Sequence, residues 1–472
     1  MKMKTRINLI LGTIASLGLL LCSGIIPGKA EAITFTAVSA QPHLRISPIW
    51  KPYRYVKVVG RQLLVDFDQN GIYTPYLIKG VGYSPYPIGR FPSDWGYPQN
   101  PGDSRPNNVY DDPAILNRDF PLLQTMHANT IRIWQGNNMQ VTLADALDPT
   151  SPWYMHWSDI GRLTGFITQR TLDSAEQHHL KVIAGFWVDW PGQASCSGYT
   201  QYTNYVDPVT RQRLKDKFGQ YVTQFRNHPA ILFWALGNEN NLALDQTSLV
   251  QINAYYSLLN EMAQVARQIE GPYYHPVAIV NGEIGDIGVA AHGTTDSQLN
   301  FIEIWGANVY RGNSFYTLFN DFAAKSAHPL WISEFGIDAW QSSPPLTSDP
   351  SGVENQSTQA SWISGLWNEI ANNTAITIGG SVMEYSDEWW KPYEWQCGTS
   401  SPTCNSQQNH FGFGPTDQSC PPDGIPDWTP PFPDQFINEE WFGIVKISSG
   451  TGPFPTDVVT PRQEYSTLQS QW

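Results

Sequence analysis

The chain has 472 residues, a formal net charge of −14, and 15% charged and 13% aromatic side chains. An acid excess of that size argues against nucleic acid and anionic membrane surfaces as partners. With 19 Trp, 22 Tyr and 20 Phe, the aromatics either fill a large core or line a cleft that stacks on flat sugar faces, and composition does not choose between the two.

Residues 1–32 read as a secretory signal peptide: Lys2, Lys4 and Arg6 precede the apolar run Ile7–Leu21, and Ala30 and Ala32 form an A-x-A cleavage site. A membrane anchor is the alternative, but the run is shorter than the roughly 20 residues a span requires. A lipoprotein signal at Cys22 would want a small residue where Leu21 stands. The expected location is therefore secreted, periplasmic or cell-surface. No later stretch is long and apolar enough for stable membrane insertion. Residues 33–74 read as an extended segment and a hairpin, with a turn signal at Asn70-Gly71. Asp66–Gly71 resembles the start of a calcium loop, yet the twelfth position is Leu77 and not a glutamate, so a plain turn is expected and no metal.

From residue 75 onward, short apolar runs alternate with amphipathic segments. Strands are expected at Leu77–Val81, Thr130–Trp134, Lys181–Phe186, Ile231–Leu236, Val277–Val280, Ile302–Val309, Leu330–Ser333 and Ser381–Tyr385. Helices are expected around 114–127, 162–179, 248–269, 314–325, 356–371 and 461–470. Another lies between the third and fourth strands, where Leu214, Phe218, Tyr221, Val222 and Phe225 share one face. Eight strands separated by helices, without a glycine-rich phosphate fingerprint after the first, fit an α/β (β/α)8 TIM barrel over 75–472.

Two Pro- and Gly-rich loops, 88–112 and 396–437, exceed ordinary connectors and are placed at the carboxyl-end face. Four cysteines follow the leader: Cys196, Cys397, Cys404 and Cys420. In an exported chain they suggest two disulfides with three possible connectivities, and their spacing matches no zinc pattern. His178-His179 are adjacent and point apart, so they read as a helix end. There is no G-x-S-x-G and no P-loop, and no cofactor is expected.

Barrel active sites sit at the carboxyl ends of the strands. Glu239 follows the fourth strand in FWALGNENN, and Glu334 ends the seventh in LWISEFG. Taken singly, each could be a capping or salt-bridged carboxylate. Together at one barrel mouth they supply the acid and the carboxylate that glycosidic cleavage needs, with Asn238 placed to bond a sugar 2-hydroxyl.

These motifs, RNHPAILFWALGNEN and LWISEFG, resemble the signatures of clan A retaining glycoside hydrolases over most of 75–390. The resemblance implies Glu334 as nucleophile and Glu239 as acid/base. It also implies Arg132 of NTIRIW and Tyr310 of GANVYRG beside the nucleophile. The first and eighth strands, LIKGVGYSP and GGSVMEYSDEWWK, are similar both to family 2 glycosidase barrels and to β-1,3-glucanosyltransferases. Trp389 or Trp390 would then lie under the cleaved sugar. Trp134, Trp187, Asp189, Tyr83, Glu283 and Glu384 are further candidate sugar contacts. The chain lacks the β-sandwich domains that precede family 2 barrels, so that family's substrates do not transfer. The expected activity is a retaining β-glycosidase acting on an oligo- or polysaccharide such as β-glucan. A transglycosylase and a non-catalytic carbohydrate-binding barrel are the rivals.

Overall fold

The computed structural model describes residues 53–88, 108–135, 166–195, 198–342, 352–388, 441–451 and 456–472. The leader, the four later cysteines, Trp389, Trp390, loop 396–437 and most of loop 88–112 lie outside the described residues.

Eight parallel strands close into a barrel. They are β1 Ile78–Gly82, β2 Thr130–Ile133, β3 Lys181–Phe186, β4 Ile231–Leu236, β5 Val277–Gly282, β6 Ile304–Asn308, β7 Leu330–Phe335 and β8 Thr377–Val382. Seven of them are buried along their whole length, and only Lys79 breaks the run in β1. Side chains facing both the barrel interior and the helix layer must be dry, so these strands read as continuous apolar runs without alternation.

The expected strands coincide with β1–β7 to within a few residues, but β8 begins four residues before the segment assigned to it. The reason is Gly379-Gly380, which reads as a break. Gly379 has φ +113°, and a Cβ there would lie 2.3 Å from the Ile78 carbonyl oxygen. The glycine is where β8 closes against β1, not where the strand stops.

Helices cover the barrel at Pro113–Thr125, Gln169–Gln177, Pro208–Phe225, Leu249–Glu270, Leu318–Lys325, Gln356–Asn372 and Gln463–Gln471. Asp207 and Ser248 cap the two longest, accepting from the backbone N–H of Thr210 and Gln251. The crossover from β5 to β6 carries only a one-turn 3-10 segment at Ala290–His292. The last helix packs on Gln356–Asn372 and also bonds the first: the Tyr465 hydroxyl donates to Leu122 O at 2.7 Å, and Gln469 Nε2 to Thr125 O at 3.0 Å. This helix thus bridges Gln356–Asn372 and Pro113–Thr125 in the outer ring. His178 and His179 end the helix Gln169–Gln177.

A three-stranded antiparallel sheet precedes the barrel, with Val56–Val59 paired to Gln62–Val65 and Gln62–Val65 to Thr74–Pro75. The second connection holds Asn70-Gly71. Asp66 organises this turn by accepting from the backbone N–H of Asn70 and Gly71, the structural role expected of it. Tyr55, Val56, Leu63 and Val65 pack with Ile78, Leu232, Ala278, Ile304 and Ile378 near the strand starts. The sheet therefore plugs the barrel floor.

Gly379→Ala is expected to be one of the most destabilising single substitutions in the barrel. It adds a backbone clash to a conformation that disfavours L side chains by about 1–3 kcal/mol. Urea unfolding should show a lower midpoint with an unchanged slope.

Candidate active site

The site is built upward from an aromatic floor. Phe233 of β4 and Trp331 of β7 meet edge to face inside the barrel, with centroids 5.3 Å apart. Above them lies the guanidinium of Arg132 from β2, 5.3 Å from the Trp331 ring centre and 4.6 Å from that of Trp134, so its charge meets two π faces. Its Nη1 donates to Glu334 Oε1 at 2.7 Å, to Ser333 O at 2.8 Å and to Asn308 Oδ1 at 3.3 Å, while Nη2 donates to Asn238 Oδ1 at 2.6 Å. Burial pushes this guanidinium below its usual range, and the charges of Glu334 and Glu239 oppose the shift.

Glu334 is buried and held by three donors. Arg132 and the Trp134 indole N–H share Oε1, the latter at 2.6 Å, and the Tyr310 hydroxyl donates to Oε2 at 3.0 Å. Two consecutive residues of β7 reach this centre, since the Ser333 hydroxyl also donates to Asn308 Oδ1 at 2.7 Å. An ideal strand turns neighbours to opposite faces. The conflict is resolved by a slip in the ladder: Ala307 pairs with Ile332, but Asn308 pairs with Glu334. Such bulges re-aim side chains beside active sites.

Glu239 is positioned differently. Gly237 (φ +69°) and Glu239 (φ +56°) both adopt left-handed conformations at the end of β4. A Cβ on Gly237 would lie 2.5 Å from the Tyr255 hydroxyl, so only glycine fits. The surrounding amides fix the turn. Asn240 accepts from Asn238 N at 3.1 Å and donates to Val188 O at 3.0 Å. Asn241 exchanges two bonds with the backbone of Gly282. Asn238 Oδ1 accepts from both Arg132 and Asn308, which leaves its amide nitrogen as the donor toward a ligand.

The structure thus brings Arg132, Trp134, Asn238, Tyr310 and Glu334 into one bonded network, with Glu239 on the adjoining turn. Sequence reasoning missed Asn308, which joins Arg132, Asn238 and Ser333. Its signal was an amide standing in the small apolar run GANV. Trp187 is almost fully buried at the end of β3, in a parallel stack with Trp190 at 6.4 Å and 3°; Trp190 is the more exposed of the two.

Two candidate sugar contacts, Tyr83 and Asp189, are drawn into the packing outside the mouth, and a third, Glu384, is fully buried. Tyr83 is wholly buried and donates to Asp119 at 3.0 Å. Asp189 forms a buried ion pair with Arg213 at 2.9 Å. Glu384 has no exposed surface. All three follow barrel strands, where sequence alone cannot distinguish the mouth from the contact with the helix layer. Among the described residues no group of acidic, His or Cys side chains could hold a metal ion, and no helix is long and apolar enough to cross a membrane.

A closed parallel barrel with two glutamates ending its fourth and seventh strands defines a class, and the comparisons agree with it: the chain is a glycoside-hydrolase (β/α)8 barrel. Residues 169–394 match the family model described as Glycosyl hydrolases family 2, TIM barrel domain. A mannan endo-1,4-β-mannosidase A of Hypocrea jecorina is 21% identical over 314 residues, covering 60% of this chain and 68% of that one. Among solved structures, the β-D-glucuronidase of Dictyoglomus thermophilum is 15% identical with a TM-score of 0.46, covering 89% of this chain and 53% of its own. A β-galacturonidase of Eisenbergiella tayi is 14% identical with a TM-score of 0.46, covering 88% and 53%. The chain spans about half the length of these two solved relatives.

Because Arg132 and Glu334 neutralise one another in a dry site, Arg132→Met should destabilise the fold by about 3–5 kcal/mol through the unpaired carboxylate it leaves. In a Glu334→Gln background the same substitution should lose distinctly less, a coupling that a double-mutant cycle by chemical denaturation would measure.

Proposed function

We propose that the chain is a retaining β-glycosidase that cleaves β-linked oligo- or polysaccharides by double displacement, with Glu334 as nucleophile and Glu239 as acid/base. The observation that carries this reading is the set of three donors that hold Glu334 at the barrel mouth, with Glu239 on the adjoining turn. The three donors on Glu334 fix its lone pairs and hold the carboxyl group in one orientation. Glu239 stands on the adjoining half-buried turn after β4, more exposed than Glu334.

In the first step a Glu334 carboxylate oxygen attacks the anomeric carbon while Glu239 gives its proton to the leaving oxygen, and a glycosyl ester forms. Glu239, now ionised, takes a proton from water as that water attacks the same carbon. The ester breaks, Glu334 is regenerated, and two inversions leave the configuration retained. The Asn238 amide would donate to the 2-hydroxyl, a bond that strengthens as positive charge develops at the anomeric carbon. Trp134, already bound to Glu334, would lie against the sugar, and Trp187 would back that wall through Trp190.

A β-glucan is the proposed substrate, on the resemblance of the first and eighth strands; the mannosidase relative makes β-mannan the competing polymer. The transglycosylase reading uses the same glycosyl ester, intercepted by a sugar hydroxyl. Export is part of the proposal, on the pattern of residues 1–32.

Incubation with β-glucan, β-mannan, β-galactoside and β-glucuronide oligosaccharides should give shorter products of retained configuration by NMR, and none with Glu334→Gln. Longer products would identify the transferase, and binding without turnover would identify the carbohydrate-binding barrel. Glu239→Gln should slow sugar leaving groups roughly 10²–10⁴-fold and slow formation of the glycosyl ester far less when nitrophenolate departs, because that group leaves without a proton. Protein recovered from an exporting host should begin at Ile33, as N-terminal sequencing would show.

A further inference from the structure

The end of β5 repeats the end of β4. Glu239 has φ +56° and Glu283 has φ +59°, and each donates its backbone N–H to the next strand, Glu239 to Val280 O at 3.1 Å and Glu283 to Asn308 O at 3.0 Å. A second glutamate therefore leaves the barrel mouth one strand beyond the acid/base, on a backbone that disfavours L residues. Its carboxylate is gripped bidentately by Arg311, with Nε to Oε1 at 2.8 Å and Nη2 to Oε2 at 2.6 Å. Arg311 is the neighbour of Tyr310, which binds the nucleophile.

Stability does not account for this arrangement. The Glu283 side chain is 41% exposed and that of Arg311 24%, so the pair is screened and contributes little to folding. The remaining guanidinium nitrogen, Nη1, has only a long 3.4 Å contact to Phe315 O. A carboxylate with free lone pairs beside an underused guanidinium N–H is the donor and acceptor set that grips adjacent sugar hydroxyls.

Position selects which sugar. Trp134 lies across Gly82 of β1 and packs with Met383 and Phe442, so the wall over β1, β2 and β8 belongs with the nucleophile and the sugar it captures. The acid/base must face the leaving oxygen, and β5 lies beyond it, away from that wall. Resting on the proposed function, we propose that Glu283 and Arg311 form the leaving-group subsite and bind vicinal hydroxyls of the pyranose that departs as the glycosyl ester forms, or of the one offered to that ester as acceptor. Occupancy of this subsite by a sugar then sets the share of transfer over hydrolysis.

The test compares two substrates with the same glycone, a nitrophenyl β-glycoside and a tetrasaccharide or longer, for the parent, Glu283→Ala and Arg311→Gln. Equal thermal midpoints would first show that the variants fold. Losing hydrogen bonds to charged groups should lower kcat/KM for the oligosaccharide about tenfold or more. The nitrophenyl glycoside, which places no sugar in the subsite, should change less than about twofold. With added acceptor oligosaccharide, the variants should also form a smaller share of transfer product from the nitrophenyl glycoside. Equal losses on both substrates would overturn the proposal in favour of a purely positioning role through Tyr310. No loss on either would overturn it outright. A parent that turns over neither substrate would sink the glycosidase reading and the subsite with it, whereas an active parent and an inactive Glu334→Gln keep that reading whatever Glu283→Ala does.

Discussion

The site depends on one buried cation. Arg132 has 2% of its surface exposed, and a guanidinium withdrawn from water is tolerated only if its donors are used and an anion stands beside it. The barrel mouth supplies four oxygens, from Asn238 on the turn after β4, Asn308 on β6, and Ser333 and Glu334 on β7. Trp134 and Trp331 supply aromatic faces. The four oxygens come from three segments other than Arg132's own strand, so the cation ties four segments of the mouth together. A catalytic carboxylate held by such a hub needs no motion to acquire its orientation, which is the preorganisation that electrostatic catalysis uses.

Regular strands cannot satisfy that hub, because alternation sends every second side chain to the helix layer. Two local departures resolve the conflict. In β7 the ladder slips at Ala307/Asn308, allowing Ser333 and Glu334 to serve the same centre. After β4, Gly237 and Glu239 turn left-handed and the amides of Asn240 and Asn241 pin the turn to Val188 and Gly282. The first device gives a carboxylate fixed on a rigid strand, and the second gives one on a braced turn with more solvent. The proposed tasks of nucleophile and acid/base would map onto that difference.

Much of this was legible in the sequence. Fully buried parallel strands advertise themselves as apolar runs, and a carboxylate at the end of such a run is conspicuous, so the eight-stranded barrel and the positions of Glu239 and Glu334 could be read from them, while Arg132 and Tyr310 were singled out only by the resemblance to clan A glycoside hydrolases. The register of β8 was not legible, since a glycine needed for close approach to Ile78 has the same letter as one that ends a strand. Asn308 was marked only by an amide standing in the small apolar run GANV, and Ser333 escaped notice because its role arises from a ladder slip. Tyr83 and Asp189 misled for the converse reason: both follow barrel strands, yet hydrogen bonds to Asp119 and Arg213 draw them into the packing outside the mouth. Trp389 and Trp390 lie outside the described residues, so the structure does not bear on them.

The short β5 to β6 crossover gives the mouth its direction. Where the other connections are built on helices of eight or more residues, this one carries a single 3-10 turn, and the Asp286 carboxylate organises it by accepting from Asn241 at 3.0 Å and bonding His292 at 2.7 Å. The same contact to Asn241 reaches the turn that bears Glu239. Glu239 and the rim beyond it are therefore one mechanical unit, while Glu334 belongs to the Arg132 network across the mouth. A sugar chain bridging the two sides would meet a rigid, charge-lined wall at the captured ring and a shorter, more solvated rim at the departing one. In such a cleft, selectivity for what leaves can change through the loops after β4, β5 and β6 without disturbing the buried cation that holds Glu334.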